Sequence, residues 1–324
     1  MSLNLTFRLA TPEDYPVLSL IQGLAYRDAA GETILPLTVE ELLEGDQQRQ
    51  PYIRFARWIA EKEGVIVGWA EYDQNASRYH PGKFWIDGYV HPDHQRQGIG
   101  SALYTHLLEA LRPYDPIVLR CDIREDVVHG IAFLEHRGWQ EAQRTWAAVL
   151  EVAAFDPAPY LRRQQALEAE GIAFRSLPQL ETDGDRDHKL YELVWEIRQD
   201  LPDLDAATKE PFDVFITQRL RHPDLIPDSY FIATQGENYL GYIYHFADRS
   251  NRTTMRIAQL GVARAYRGRG IAQVLKMQGA LFAREQGYKS IRTTNRSDNQ
   301  AVLAINTRMN FVREHAWLHM LKSF

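Results

Sequence analysis

The sequence predicts a mixed α/β protein made of two tandem domains, each built on a mixed sheet. One observation is the stretch Leu260–Lys276, in which an apolar strand leads through a glycine-rich turn into an amphipathic helix. A second is the stretch Val90–Leu107, which has the same pattern. A third is a constant offset of 172 residues between the copies, which holds from the turns as far as Trp139 and Phe311. The chain therefore contains an internal repeat.

The repeat divides the 324 residues into domains of ordinary size, 1–154 and 172–324, joined by a linker helix at 155–171. The linker contains two prolines, continues as a charged helical segment and ends at Gly171. It has no counterpart in either repeat.

In the first half, alternation predicts a strand over Leu3–Leu9. Thr11 and Pro12 then predict the start of a helix that continues to Ala25, and a second helix begins after Thr38. The next elements are, in order, strands at 52–61, 65–72 and 84–90, a helix at 98–111, a strand at 117–121, a helix at 127–137 and a closing strand at 145–152.

The second half repeats this order from Phe174. Its first helix contains Leu190 and Ile197 and ends near Leu201-Pro202. The later elements are a helix at 211–220, strands at 230–234, 239–246 and 256–262, a helix from 271, a strand at 288–294, a helix at 298–309 and a last strand at 317–321.

Both glycine turns are suited to bind phosphate. A helix N-terminus offers unpaired N–H groups and a partial positive charge, and at Gly270 no β-carbon would hinder an approaching oxygen. Ile271 and Ala272 exclude the Gly-Lys-Ser/Thr ending of a Walker loop, and Gln273 replaces the third glycine of a dinucleotide fingerprint. A turn that only joins a strand to a helix is the alternative.

The strings Arg267-Gly268-Arg269-Gly270-Ile271-Ala272 and Gln95-Arg96-Gln97-Gly98-Ile99-Gly100 resemble motif A of the GCN5-related N-acetyltransferases. The order of elements in each half is similar to that fold. Thr294–Asn299, followed by Leu303–Asn306, is similar to the tandem bacterial members, a group that includes mycothiol-synthase-like proteins.

This resemblance implies direct transfer of acetyl from acetyl-CoA to an amine, without a metal. It implies that backbone near Val90, and near Leu260, Gly261 and Val262, binds the pantetheine arm where two strands splay apart, and that both turns bind the pyrophosphate. It also implies a cofactor contact from Asn299, for which a helix cap is the alternative. Asn306 is a further cofactor-binding candidate.

The copies differ at residues that matter for this function. Val127 matches Asn299 by the offset and cannot hydrogen-bond through its side chain. Arg267 and Arg269 place two charges beside the second turn, against only Arg96 beside the first. The sequence therefore predicts that the second domain is the active copy and has the tighter acetyl-CoA site.

The acid and the base of the reaction are less well defined. The position at which family members often carry a tyrosine acid holds Leu134 in one copy and Asn306 in the other. A base is needed because an alkylamine is mostly protonated at pH 7. Lowering its pKa from about 10.4 to 7 costs roughly 4–5 kcal/mol. The candidate bases on the central strands are Glu71 and Asp87 in the first copy and Tyr244 and His245 in the second. Glu71 and Tyr244 occupy equivalent places in the two copies, since each follows a glycine by three residues. For each of the four candidates, the alternative is an ordinary outward-facing strand residue without a catalytic role.

Composition excludes several other classes of protein. The net charge of −6 argues against a nucleic-acid partner, and the apolar runs are too short for a membrane span. The single cysteine, Cys121, excludes an intramolecular disulfide and fits a buried thiol better than a nucleophile. The histidine spacing predicts no metal site. We expect a cytoplasmic protein, because no signal sequence precedes the first strand.

The leading hypothesis is an acetyl-CoA-dependent N-acetyltransferase that acts on a small-molecule or peptide amine. Because both tyrosines are missing, the alternative is a non-catalytic acyl-CoA-binding or sensing protein. The sequence leaves the acceptor and the oligomeric state open.

Overall fold

A computed structural model describes residues 4–26, 37–200 and 205–324. The chain forms two compact units. Unit 1 comprises Met1–Arg144 with Trp317–Phe324, and unit 2 comprises Thr145–Ala316. Leu3, Leu201 and Pro202, which lie at predicted element ends, fall outside the described residues.

Unit 1 confirms the predicted mixed α/β architecture. Its sheet has the order β1-β2-β3-β4-β5-β12, and only the β4–β5 pair is parallel. The strands are β1 (Leu5–Leu9), β2 (Ala56–Lys62), β3 (Val65–Asp73), β4 (Lys83–Val90), β5 (Val118–Arg124) and the end of β12 (Val312–Ser323). The helices are α1 (Tyr15–Ala25), α2 (Val39–Gln48), α3 (Ile99–Leu111) and α4 (Val128–Glu135).

Unit 2 repeats this plan, with the sheet order β7-β8-β9-β10-β11-β6 and a parallel β10–β11 pair. The strands are β7 (Ile172–Ser176), β8 (Phe231–Gln235), β9 (Asn238–Ala247), β10 (Thr254–Val262), β11 (Ser290–Arg296) and most of β6 (Gln140–Glu151). The helices are α5 (Ala158–Ala169), α6 (Arg186–Gln199), α7 (Phe212–Phe215, followed by a π-helical turn over Ile216–Leu220), α8 (Ile271–Glu285) and α9 (Gln300–Arg308).

Each unit takes its last strand from the other half of the sequence. Residues 145–151 of β6 pair with β11 in unit 2, whereas 317–323 of β12 pair with β5 in unit 1. Both closing strands were predicted, but their partners were not. The compact units therefore differ at this strand from the contiguous ranges 1–154 and 172–324. The helix predicted as a linker is α5 and belongs to unit 2.

Alternation along the strands explains how the units pack. Phe84 and Ile86 of β4 join the core formed with α3, whereas Tyr89 faces the core formed with α1 and α2. In unit 2, Tyr242 and Tyr244 of β9 join the core formed with α6 and α7. His245 points the other way, toward Gly279 of α8.

In both units the parallel strand pair is short. β4 and β5 pair only from Lys83 opposite Val118 to Trp85 opposite Arg120, and then separate. β10 and β11 pair over three positions in the same way, and beyond this point β4 and β10 stay paired only with β3 and β9 up to their glycine turns. This is the splay that the sequence resemblance implied.

The exchanged strand generates a first prediction. Ending the chain at Ala316 removes the buried side chains of Leu318 and Met320 from unit 1. Burial of two such side chains contributes about 3–6 kcal/mol, a large part of the stability of a typical domain. We expect unit 1 to unfold at a markedly lower temperature in this variant, as measured by calorimetry. Deleting only the exposed Phe324 is the control, and equal stability of the two truncated chains would contradict the strand assignment.

A second prediction concerns the buried His245. Its Nδ1 lies 3.0 Å from the carbonyl oxygen of Ser229, and burial lowers the pKa of the ring to about 4. As the pH falls from about 6.5 toward 4, the unfolded chain binds a proton that the folded chain does not, so stability is lost. At about 1.36 kcal/mol per pKa unit the loss amounts to roughly 3 kcal/mol.

Urea unfolding at pH 7 and pH 5 tests this linkage. The variant His245→Leu should lose less stability between the two pH values than the parent. Replacing the exposed His188 of the same unit by Asn is the control. An unchanged pH dependence in His245→Leu would show that other groups cause the effect.

Candidate active site

The first glycine turn joins β4 to α3. Gly98 has a φ of +85° and immediately precedes the helix, a conformation that glycine adopts without strain. Gln95 donates from Nε2 to the carbonyl oxygen of Val90 at 3.1 Å and so ties the turn to the end of the strand. Ile99 is buried, whereas Arg96 and Gln97 are exposed. The backbone N–H groups at the start of α3 are therefore held at the open end of the strand splay.

A cavity of about 720 Å³ occupies the space between the separating strands of unit 1. It begins at the glycine turn and is bounded by α3 and α4. Residues in its wall include Tyr26, Asp87, Tyr89, Gly100, Tyr104 and Val127. Its position and size suit an elongated ligand that has one end at the turn and the other between the strands.

Asp87 is the acidic group in this wall with the most unusual environment. Burial raises the pKa of the Asp87 carboxyl well above its usual range, and the nearby carboxylates of Glu71 and Asp122 act in the same direction. The Tyr89 hydroxyl donates to Oδ1 at 3.3 Å and itself accepts from Gln22 at 3.2 Å. A carboxyl group with a raised pKa at a cleft is suited to act in proton transfer.

Glu71 lies opposite Asp87 on β3, but it faces Arg57 rather than the cavity. Its Oε2 accepts from Arg57 Nε at 2.6 Å, and Arg57 also contacts Asp46 at 3.2 Å. Burial raises the pKa of Glu71, and the Arg57 guanidinium opposes this effect. Glu71 is therefore part of a buried ion-pair network, which leaves Asp87 as the candidate that meets the cleft.

Cys121 also lies in the cavity wall. Burial raises the pKa of its thiol well above the usual range, and the carboxylates of Asp87 and Asp122 add to this effect. The thiol therefore stays protonated at neutral pH and lacks the reactivity of a thiolate. This environment agrees with the interpretation of Cys121 as a structural residue.

The second glycine turn has the same backbone conformation. Gly268 and Gly270 have φ values of +77° and +85°, and α8 begins at Ile271, followed by Ala272. A β-carbon at 270 would lie 2.5 Å from Nε of Arg163. Any other residue would be strained by the positive φ and would displace the Arg163 side chain, and the approach of a phosphate oxygen that the sequence predicted remains a further reason.

Both arginines counted in favour of the second turn are ion-paired. Arg267 Nη2 contacts Asp200 at 2.8 Å, and its Nε donates to the carbonyl oxygen of Val262 at 3.0 Å. Arg269 forms an ion pair with Glu170 at the end of α5. Their positive charge is thus partly compensated within the protein, which weakens the charge argument for this copy.

Strand β10 approaches this turn through Leu260, Gly261 and Val262. A β-carbon at Gly261 would lie 2.5 Å from Cγ2 of Ile197, so glycine allows α6 to pack closely on the strand. Of the remaining cofactor candidates, Asn299 caps α9 by accepting from the Val302 N–H at 3.3 Å, which is the alternative role considered from the sequence.

Asn306 lies in a buried polar network. It accepts from Lys276 Nζ and donates to Asn295 Oδ1 at 2.7 Å. The Lys276 Nζ lies 4.2 Å from the centre of the Phe311 ring, and burial lowers the pKa of this amine to about 7. By the repeat offset, Lys276 matches Tyr104 and Asn306 matches Leu134. Tyr104 and Leu134 lie in the cavity wall of unit 1, whereas Lys276 and Asn306 bond to one another in unit 2.

The two catalytic candidates of unit 2 lie on opposite faces of β9. Tyr244 accepts from Arg219 Nη1 at 3.0 Å, and Arg219 also donates to Gln259, the residue that matches Asp87. Tyr244 is thus buried and hydrogen-bonded within the protein. His245 is fully buried against α8, and its placement does not support a role in proton transfer.

Several residues at the site were not identified from the sequence. Tyr26, Tyr89 and Tyr104 line the cavity of unit 1, and the repeat offset could have pointed to Lys276 once Tyr104 was known.

Among the described residues no three His, Cys, Asp or Glu side chains are grouped so as to hold a metal ion. Within the same residues, no helix is both long enough and apolar enough to cross a membrane.

Both copies of the repeat match a known protein family. The sequence model of the Acetyltransferase (GNAT) family matches residues 26–139 and 188–311, one match in each copy of the repeat. The chain is 24% identical over 262 residues to mycothiol acetyltransferase of Actinosynnema mirum, which covers 80% of each protein.

Two solved structures share the fold along nearly the whole chain. One is a GCN5-related N-acetyltransferase from Sphaerobacter thermophilus, with a TM-score of 0.71, 18% identity and coverage of 98% of this chain and 95% of that one. The other is a tandem GNAT protein from the clavulanic acid biosynthesis pathway, with a TM-score of 0.74, 17% identity and coverage of 99% and 98%.

Proposed function

Because the chain belongs to the acetyltransferase (GNAT) family, we propose that it transfers acetyl directly from acetyl-CoA to the amine of a small molecule or peptide, at the cleft of unit 1. The observation that carries this placement is the cavity of about 720 Å³ that joins the first glycine turn to the carboxyl of Asp87. The sequence favoured the second copy as the active one, and the side-chain environments of the two units support the first.

The residues of unit 1 fit acetyl-CoA as a co-substrate, which supplies an acetyl group activated as a thioester. The N–H groups at the start of α3 suit a pyrophosphate, since Gly98 turns the chain there and Gly100 adds no side chain. Beyond Trp85, β4 carries backbone groups that are no longer paired with β5, and these can bind the amide groups of a pantetheine arm.

Asp87 is suited to be the general base. An alkylammonium must lose a proton before its nitrogen can attack, and a carboxylate with a raised pKa accepts that proton more readily than an ordinary one. The buried Tyr89 hydroxyl fixes the orientation of the carboxylate. No tyrosine occupies the position of Leu134, so we assign no acid for the leaving thiolate, which is a fair leaving group without one.

The side chains at the matching positions of unit 2 favour a binding role for that unit. Gln259 replaces Asp87 and bonds to Arg219, and Asn306 bonds to Lys276 where the first copy has an open cleft. A carboxamide cannot act as a base at neutral pH. Unit 2 keeps the glycine turn, and so we propose that it binds acyl-CoA without turning it over. A chain in which neither unit is catalytic is the competing hypothesis.

Replacing Asp87 by Asn tests the proposed base. Thiol release from acetyl-CoA with a panel of primary amines should fall by about 10²–10⁴ in kcat, since the amide cannot accept the proton. The ionised fraction of Asp87 grows as the pH rises through its raised pKa, so kcat/KM of the parent should increase with pH on the acidic side. This limb should disappear in Asp87→Asn.

The exposed Asp93 provides the control, since Asp93→Asn removes the same charge outside the cavity. Loss of activity in Tyr244→Phe with full activity in Asp87→Asn would instead place catalysis in the second unit. Binding of acetyl-CoA without turnover of any amine would favour the non-catalytic hypothesis.

A matched pair of substitutions tests which cleft is used. A β-carbon at Gly100 would lie 3.6 Å from Val90 Cγ2 and 3.8 Å from Phe133 Cε2, so it fits, but the branches of valine would narrow the cavity at the turn. We expect Gly100→Val to raise the KM for acetyl-CoA at least about tenfold, as loss of a contact to the pyrophosphate would. Ala272→Val makes the equivalent change in unit 2 and should leave turnover close to that of the parent. The reverse result would show that unit 2 is the active copy.

A further inference from the structure

Helix α5 holds the second glycine turn from outside the repeat. The Arg163 guanidinium donates from Nη2 to the carbonyl oxygen of Arg269, within the turn. The same side chain lies across Gly270, where a β-carbon would be 2.5 Å from Nε and 3.1 Å from Cγ. The sequence does not indicate this contact, because adjacent arginines in a charged helical segment are typical of a solvated helix face.

The helix that carries Arg163 is firmly attached to unit 2. Its Tyr160 and Leu167 side chains are buried. Gln278 of α8 donates from Nε2 to Gln164 Oε1 at 2.9 Å, and Glu170 forms an ion pair with Arg269. The arginine therefore extends from a fixed support, and only the freedom of its own side chain is lost when it contacts the turn.

The contact with a carbonyl determines where the next N–H group points. The carbonyl of Arg269 and the N–H of Gly270 belong to one planar trans peptide, in which the two groups point in opposite directions. This peptide lies between Arg269 and Gly270 and turns about ψ of Arg269 and φ of Gly270, whose positive φ glycine adopts at little cost. A guanidinium bound to the carbonyl from the α5 side therefore holds the N–H toward the other side of the turn.

We propose that Arg163 is a positioning residue for the pyrophosphate-binding turn of unit 2, in which it keeps the Gly270 N–H directed at the ligand. The inference rests on the proposed function, since it takes the ligand to be the pyrophosphate of an acyl-CoA. Arg163 acts through the backbone and need not contact the ligand. Its charge also polarises the peptide, because a carbonyl that accepts from a cation makes the N–H of the same peptide a better donor.

The test uses the full chain in a Gly100→Val background, so that binding reports on unit 2. Arg163→Ala should weaken binding of CoA by about threefold to tenfold, the effect of one hydrogen bond, as measured by calorimetry. Arg163→Lys keeps a cationic donor and should recover part of the affinity. Arg162→Ala removes a neighbouring exposed arginine and should have no effect.

Two further readouts separate positioning from a general loss of stability. Acetyl-pantetheine has no pyrophosphate, so its affinity should be the same in Arg163→Ala and in the background protein. In the absence of ligand, Arg163→Ala should change the chemical shift of the Gly270 amide and speed its hydrogen exchange more than Arg162→Ala does, because the peptide is released.

Several results would overturn the inference. Equal losses for CoA and acetyl-pantetheine would mean that Arg163 only stabilises the unit. Tighter CoA binding in Arg163→Ala would mean that the arginine covers the turn, and unchanged binding would mean that it does nothing there. Absence of any CoA binding in the Gly100→Val background would remove this site and the binding role proposed for unit 2, while leaving the acetyl transfer proposed for unit 1 intact. The proposed function fails separately, if the parent chain binds acetyl-CoA but acetylates no amine.

Discussion

The function proposed for each unit depends on the separation of two parallel strands after only three residue pairs. A strand that loses its neighbour has backbone N–H and C=O groups that need other partners, and a ligand can supply them. The same separation opens space beside the next helix, whose N-terminus lies at the mouth of the opening. The positive φ of Gly98 and Gly270 then allows each chain to turn from the strand into that helix without strain.

The two units share this backbone path but have different side chains at matching positions. In unit 1, Asp87 faces a cavity and has a raised pKa because it is poorly solvated and lies near other carboxylates. In unit 2 the matching Gln259 bonds to Arg219, and Lys276 bonds to Asn306 across the equivalent position. A repeat preserves the path of the backbone more readily than the side chains around it, so two similar turns need not have equal roles.

Two features depend on contacts between residues that are distant in sequence. β6 and β12 were both predicted as strands, but their alternation is compatible with either sheet, and only packing selects the partner. Arg163 lies 106 residues from the carbonyl that it contacts, on a helix whose charged face resembles any solvated surface. Asn299 is a simpler case, in which the local cap and the proposed ligand contact require the same side chain.

The mixed α/β class, the tandem repeat and the order of the elements could all be predicted from the amino-acid sequence, because periodicity, glycine turns and a constant offset are local or repeated signals. It also located both glycine turns and included Asp87 among four candidate bases. The folded chain is needed to distinguish these four, since the environment of a carboxyl, a phenol or an imidazole depends on residues brought together by folding. Glu71 is committed to Arg57, His245 is enclosed by α8, and Tyr244 bonds to Arg219, whereas Asp87 faces the cavity. The partners of a side chain are set by packing, and a linear pattern does not contain them.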